Sequence, residues 1–106
     1  MENDSAEPQP NLDQPLRNAE VDRILGTMQG WRREEGGIRK RFRRADFRDA
    51  IAFVNSIADL AEEAGHHPDI DIRWRNVIIY MTTHEAGGIT TLDLELARRI
   101  DEVSGN

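Results

Sequence analysis

The stretch Asp46–His84, DFRDAIAFVNSIADLAEEAGHHPDIDIRWRNVIIYMTTH, decides the architecture. Asp46 stands where an N-cap belongs, with a carboxylate that can accept from the orphan amides of a first helical turn. Apolar residues then recur at helical spacing as far as Ala64, and Gly65 supplies the left-handed residue on which helices commonly end. At about 100° per residue, Phe47, Ile51, Val54, Ala58 and Ala61 fall on one stripe, with Phe53, Ile57 and Leu60 beside it. So wide an apolar face exceeds what one sheet covers. Either another copy of the chain or the first or last helix must take the surplus. Past Pro68 the period changes. Ile70-Asp-Ile72-Arg-Trp74-Arg alternates apolar and charged residues, which predicts a half-buried strand with Trp74 on the face of Ile70 and Ile72. Asn76–His84 follows as a second strand, with Val77, Ile79 and Met81 on one face and Ile78, Tyr80 and Thr82 on the other. Apolar residues on both faces predict a central strand, or one near a subunit contact.

Working outward, Asn18 can cap a short helix carrying Val21, Ile24, Leu25 and Met28, which Gly30 ends. Two charge-rich runs, Trp31–Glu35 and Ile38–Phe42, flank Gly36-Gly37, the chemistry of a tight hairpin turn. On the other side, Gly87-Gly88 breaks the chain. Thr90 followed three residues later by Asp93 forms a capping box for a last helix with Leu92, Leu96, Ile100 and Val103 inward. The order α-β-β-α-β-β-α demands no βαβ crossover. It gives an α+β domain: a four-stranded, largely antiparallel sheet with three helices on one face. Residues 1–15 hold three of the four prolines and no apolar period, so they are expected as a disordered tail before a single domain at 16–106.

Composition narrows the function. The 106 residues contain no cysteine, which excludes disulfides, thiolate nucleophiles and cysteine-ligated metals. A net charge of -6 argues against a nucleic-acid partner, although eight of the fourteen basic residues lie between Arg32 and Arg48. The apolar run that opens at Val77 falls far short of the ~20 residues of a membrane span. Glu2, Asp4 and Glu7 stand where a signal peptide needs basic and apolar residues, so the expected address is cytoplasmic.

The chemistry-bearing side chains are the three histidines, His66, His67 and His84. The strand pair between them can return His84 to the same end of the sheet as His66-His67. Imidazoles titrate nearest neutrality, so a cluster suits proton transfer. Three imidazoles can also hold zinc, or be loop residues with no shared task, and spacing leaves all three readings open. Glu62 lies near the edge of the apolar stripe, from which it can orient an imidazole. Asp93 is first a helix cap, with a carboxylate that can also accept a ligand N–H. Trp31 and Trp74 read as core rather than as ligand platforms.

Glu62-Glu-Ala-Gly-His66-His67-Pro68, Trp74, Asn76-Val77, Thr83-His84-Glu85, Gly88-Ile-Thr and Asp93 together resemble the pterin-4a-carbinolamine dehydratases, also known as dimerisation cofactors of a homeodomain transcription factor. The likeness extends more loosely back to Gly30-Trp31. It implies dehydration of 4a-hydroxytetrahydropterin (4a-hydroxytetrahydrobiopterin) to quinonoid dihydropterin, in support of tetrahydrobiopterin recycling. It assigns catalysis to His66, His67 and His84, and substrate binding to Glu62, Asp93, Thr83 and Trp31. It requires no metal and no cofactor. It further implies a homodimer or homotetramer, or, in the alternative, a non-catalytic binding or assembly role exerted through the long helix.

Overall fold

A computed structural model describes residues 14–105. Its elements run α1 (Asn18–Leu25), β1 (Arg32–Glu34), β2 (Gly37–Arg43), α2 (Phe47–Ala64), β3 (Asp69–Arg73), β4 (Asn76–Met81) and α3 (Thr91–Ser104), with a 3-10 turn at His84–Ala86. The expected α+β order is the observed one. The strands lie in the order β1-β2-β4-β3, and every neighbouring pair is antiparallel. β4 is therefore central, one of the two placements that its apolar faces predicted.

Alternation sorts the sheet. Ile38 and Phe42 of β2 and Val77, Ile79 and Met81 of β4 are buried, in register as Ile38–Met81, Lys40–Ile79 and Phe42–Val77. Against them pack Val21 and Leu25 of α1, Ala50, Phe53 and Ile57 of α2, and Leu94, Leu96, Ala97 and Ile100 of α3. The opposite face carries Arg39, Arg41, Tyr80 and Asp71 and bears no helix among the described residues. Lys40, on the covered side, reaches Asp101 of α3 at 2.8 Å, and the same carboxylate accepts the Trp31 indole N–H at 3.1 Å.

Both long helices obey their caps. Asp46 accepts from the Asp49 amide at 2.8 Å, and Gly65 turns left-handed with φ 65°. In α3 the Thr90–Asp93 capping box is complete. Asp49 in turn accepts from the Ala45 amide at 3.0 Å and from Arg44 Nε at 3.1 Å. The Ala45 amide, aided by the Arg44 guanidinium, holds the Asp49 carboxyl below its ordinary range.

Several local expectations are corrected. Arg17, not Asn18, precedes the first helical residue, and α1 ends at Leu25 rather than Gly30. The first hairpin turns on Glu35 and Gly36, with φ 53° and 79°, the pair of positive angles that a type I′ turn requires. Gly37 belongs to β2, where a β-carbon would strike the Met81 carbonyl oxygen and lie 2.6 Å from the Tyr80 ring. Its bareness allows Tyr80 Oη to donate to the Glu35 carbonyl at 2.6 Å, and Thr82 Oγ1 to that of Gly36 at 2.9 Å. Trp74 leaves the face of Ile70 and Ile72 because it is the first residue of the β3–β4 turn, with φ 58° and 66% exposure. Val103 lies beyond the buried stripe of α3, while Leu94 and Ala97 join it. On α2 the buried residues are Ala50, Phe53, Ile57 and Ala61, and Val54 and Leu60 pack partly against the core; Phe47, at 51% exposure, is left uncovered by the described residues.

Of the tail expected at 1–15, residues 1–13 lie outside the described residues. Pro15 sits against Gly88, and the Leu16 amide donates to the Ile89 carbonyl at 2.8 Å.

Candidate active site

Three chain segments meet at one end of the molecule: the C-terminus of α2, the end of β4 and the N-terminus of α3. At the first, Gly65 N–H donates to the Glu62 carbonyl at 3.3 Å and His66 N–H to that of Ala61 at 3.2 Å. This is the Schellman pattern, which fixes the backbone of His66 as part of the helix end. Pro68 then carries the chain extended into β3.

The His66 ring turns towards α3. Its Nε2 lies 2.6 Å from Asp93 Oδ1, with 11% of the His66 side chain exposed and none of that of Asp93. The other carboxylate oxygen is also occupied: Thr83 Oγ1 donates to Asp93 Oδ2 at 2.8 Å and the Thr90 amide at 2.9 Å. Asp93 is thus both the helix cap and the seat of a histidine. A carboxylate only accepts, so the His66 nitrogen that faces it carries the proton and Nδ1 is left to act.

His67 points elsewhere. Its Nε2 pairs with Glu62 Oε2 at 2.7 Å, in a setting where the two side chains are 62% and 77% exposed. An ion pair so open to water contributes at most about 1 kcal/mol, so its consequence is orientation rather than stability. Glu63, the neighbour of Glu62, is drawn off to Arg99 of α3 at 2.6 Å. The two adjacent histidines therefore have separate carboxylates.

His84 follows Thr83 directly and opens the 3-10 turn. Thr83 and Gly88 bond backbone to backbone, N–H to carbonyl, at 2.9 and 3.3 Å, which closes the loop that carries it. The His84 ring is exposed and has no hydrogen-bond partner among the described residues. Among those residues no group of three or more histidine, aspartate or glutamate side chains is placed to hold a metal ion.

The profile of the family described as Pterin 4 alpha carbinolamine dehydratase matches residues 14–103. The chain belongs to that family. Among its dehydratase relatives, a protein of Roseiflexus sp. (strain RS-1) bearing the pterin-4-alpha-carbinolamine dehydratase name is 54% identical over 88 residues, covering 83% of this chain and 95% of its own. One of the same name from Thermomicrobium roseum is 46% identical, covering 84% and 96%. Two solved dehydratase folds are similar. A transcriptional coactivator/pterin dehydratase from Brucella melitensis has a TM-score of 0.83 at 29% identity, covering 87% of this chain and 100% of its own. A pterin dehydratase-like protein identified as a RuBisCO assembly factor in the alpha-carboxysome has a TM-score of 0.63 at 27% identity, covering 74% and 94%.

Within this dehydratase fold the structure joins His66 to Asp93, His67 to Glu62, and Thr83 to Asp93. Trp31 is not brought to them: it is 5% exposed, packs edge-on against Phe42 and spends its N–H on Asp101. Asp93 and Thr83, 0% and 1% exposed, are engaged with protein partners. Thr90, read from the sequence as a cap and as part of the Gly88-Ile-Thr motif, touches the Thr83 hydroxyl at 2.8 Å. The Thr-x-x-Asp spacing exposed the cap, but only tertiary structure shows what else its carboxylate holds.

Proposed function

We propose that the protein dehydrates 4a-hydroxytetrahydropterin to quinonoid dihydropterin and water by histidine acid–base catalysis. The observation that carries this reading is the pair of consecutive imidazoles, each tied through Nε2 to its own carboxylate. The reaction breaks the C4a–O bond and forms a C4a–N5 double bond from the electron pair of N5–H. It therefore needs one proton taken from N5 and one delivered to the departing hydroxyl. His66, with Nε2–H given to Asp93, offers Nδ1 as the base. His67, in its protonated form, supplies the proton that makes the hydroxyl leave as water. His84, on the adjoining loop and without a hydrogen-bond partner among the described residues, completes the site at the pterin edge. General acid and general base catalysis contribute about 10²–10⁴-fold each. Copies of the chain meet as a dimer or tetramer through the uncovered strip of α2. We assign the protein to pterin recycling. The described residues include no helix long and apolar enough to cross a membrane.

The test is the rate of quinonoid dihydropterin formation from freshly generated 4a-hydroxytetrahydropterin, for wild type, His66→Ala, His67→Ala and wild type with chelator. Acceleration that survives chelator and collapses in the variants is expected. A well-folded protein that leaves the uncatalysed rate unchanged overturns the proposal. That result would favour the second reading, a non-catalytic assembly role, which rests on likeness to the RuBisCO assembly factor and on the exposure of Phe47.

A further inference from the structure

We infer that Thr83 and Thr90 are positioning residues for His66, their hydroxyl protons ordered by the α3 cap so that Asp93 is held facing the imidazole. The inference deepens the dehydratase reading, since it concerns the same histidine, but it stands on the direction of four hydrogen bonds.

The two hydroxyls lie 2.8 Å apart, and their residues are 1% and 2% exposed. Either one can be the donor, and the surroundings decide which. Thr90 Oγ1 accepts from the Leu92 amide at 3.2 Å, as an N-cap does. Were Thr83 to donate to Thr90, the Thr90 proton would have no acceptor in a buried place. Asp93 Oδ2, 2.8 Å from Thr83 Oγ1, would then face lone pairs instead of a proton. Buried polar groups do not leave such bonds unmade. One ordering remains: the Leu92 amide donates to Thr90, Thr90 donates to Thr83, and Thr83 donates to Asp93 Oδ2.

Bonds aligned head to tail polarise one another. With the Thr90 amide as a second donor at 2.9 Å, Oδ2 is pinned from two sides and the carboxylate does not turn about its Cβ–Cγ bond. Oδ1 is thereby aimed at His66 Nε2, 2.6 Å away. The start of α3 so selects the tautomer of a residue on the far side of the site. Thr83, expected from the family resemblance to contact substrate, works instead from behind the imidazole.

The test uses the full chain with ¹⁵N-labelled histidine and needs no substrate. For the neutral His66 ring of wild type the nitrogen signals should report a single tautomer, with the proton on Nε2. Thr83→Val should release the carboxylate and give mixed tautomers. Thr90→Val, one bond further away, should do so less, and Thr83→Ser and Thr90→Ser should restore the wild-type signals. In the dehydration assay kcat should fall in the same order, by about 10-fold for Thr83→Val given the size of acid–base contributions, with KM within twofold of wild type. Asp46→Ala, which removes the cap of α2, should lower the melting temperature without moving the His66 signals. Folded Thr83→Val with wild-type signals overturns the inference, as does a raised KM at unchanged kcat, the mark of a substrate contact. If the valine variants do not fold, wild type decides: an Nδ1-protonated His66, or a Thr83 hydroxyl exchanging as fast as an exposed one, is equally fatal. Intact nitrogen signals without dehydration would sink the dehydratase reading alone.

Discussion

Replacing Asp93 with asparagine changes one atom and should change the site more than the fold. The carboxylate accepts three donors, from His66 at 2.6 Å, Thr83 at 2.8 Å and the Thr90 amide at 2.9 Å. An amide has a single oxygen to offer. Turned towards Thr83 and Thr90 it keeps the cap, and its NH₂ then meets His66 Nε2, which must become an acceptor. The opposite rotamer sets NH₂ against the Thr90 amide, leaving a buried donor unmet at a cost of about 1–3 kcal/mol. The first arrangement therefore wins. Two charge-assisted bonds become neutral ones, a loss of about 1 kcal/mol each, partly offset by no longer burying a charge. The expected destabilisation is about 1–2 kcal/mol, which in a domain of this size lowers Tm by about 5–15 °C. Catalysis suffers separately under the proposed mechanism: the proton moves to Nδ1, the nitrogen proposed as the base, and the rate should drop by at least about 10²-fold. Circular dichroism melting and the dehydration assay at a temperature where both proteins are folded separate the two effects. A folded Asp93→Asn protein with wild-type kcat refutes the assignment of Nδ1 of His66 as the base.

Three further outcomes follow from the fold. Gly37→Ala drives a β-carbon into the Met81 carbonyl and the Tyr80 ring, so the urea midpoint should fall by the equivalent of about 2 kcal/mol; an unchanged midpoint contradicts the β2–β4 register. Asp101→Ala leaves the Lys40 ammonium and the Trp31 N–H without their shared acceptor and should cost about 2 kcal/mol, seen as a lower Tm and altered Trp31 fluorescence. Because the Ala45 amide, with Arg44, depresses the Asp49 carboxyl in the folded state, its contribution is present above the unfolded value near ~3.9 and is lost as pH falls through the folded one. Asp49→Asn should therefore lose less stability than wild type as the pH falls below about 4, and parallel acid-unfolding curves would contradict it.

What was legible in the sequence was what short range decides. Asp46, Gly65 and the Thr90–Asp93 box act within one turn of their helices, and all three are found in place. The change of period at Pro68 and the two-faced β4 announced a central strand. Apart from the ends of α1, which shifted locally, what failed depended on neighbours far along the chain. The choice of Glu35-Gly36 over Gly36-Gly37 for the turn comes from the need to lay a bare backbone against Tyr80 and Met81. Trp74 broke its alternation because register with β4 ends at Arg73–Asn76, leaving Trp74 and Arg75 as the loop. In the site, the segments could be brought to one end on paper, but not the pairing of each histidine with its carboxylate. The stripe singled out Glu62 as able to orient an imidazole, but not which histidine it takes: it pairs with His67, while Glu63 is held by Arg99.

The double duty of Asp93 bears on how this fold would decay were its chemistry no longer wanted. A drifting descendant could discard His67, Glu62 and His84 almost without penalty, because they stand in water and support nothing behind them. Asp93 it could not discard, since the helix start leans on the same oxygens. An aspartate at this place therefore testifies only that a chain folds; the solvent-facing histidines are the better witnesses to whether it still works.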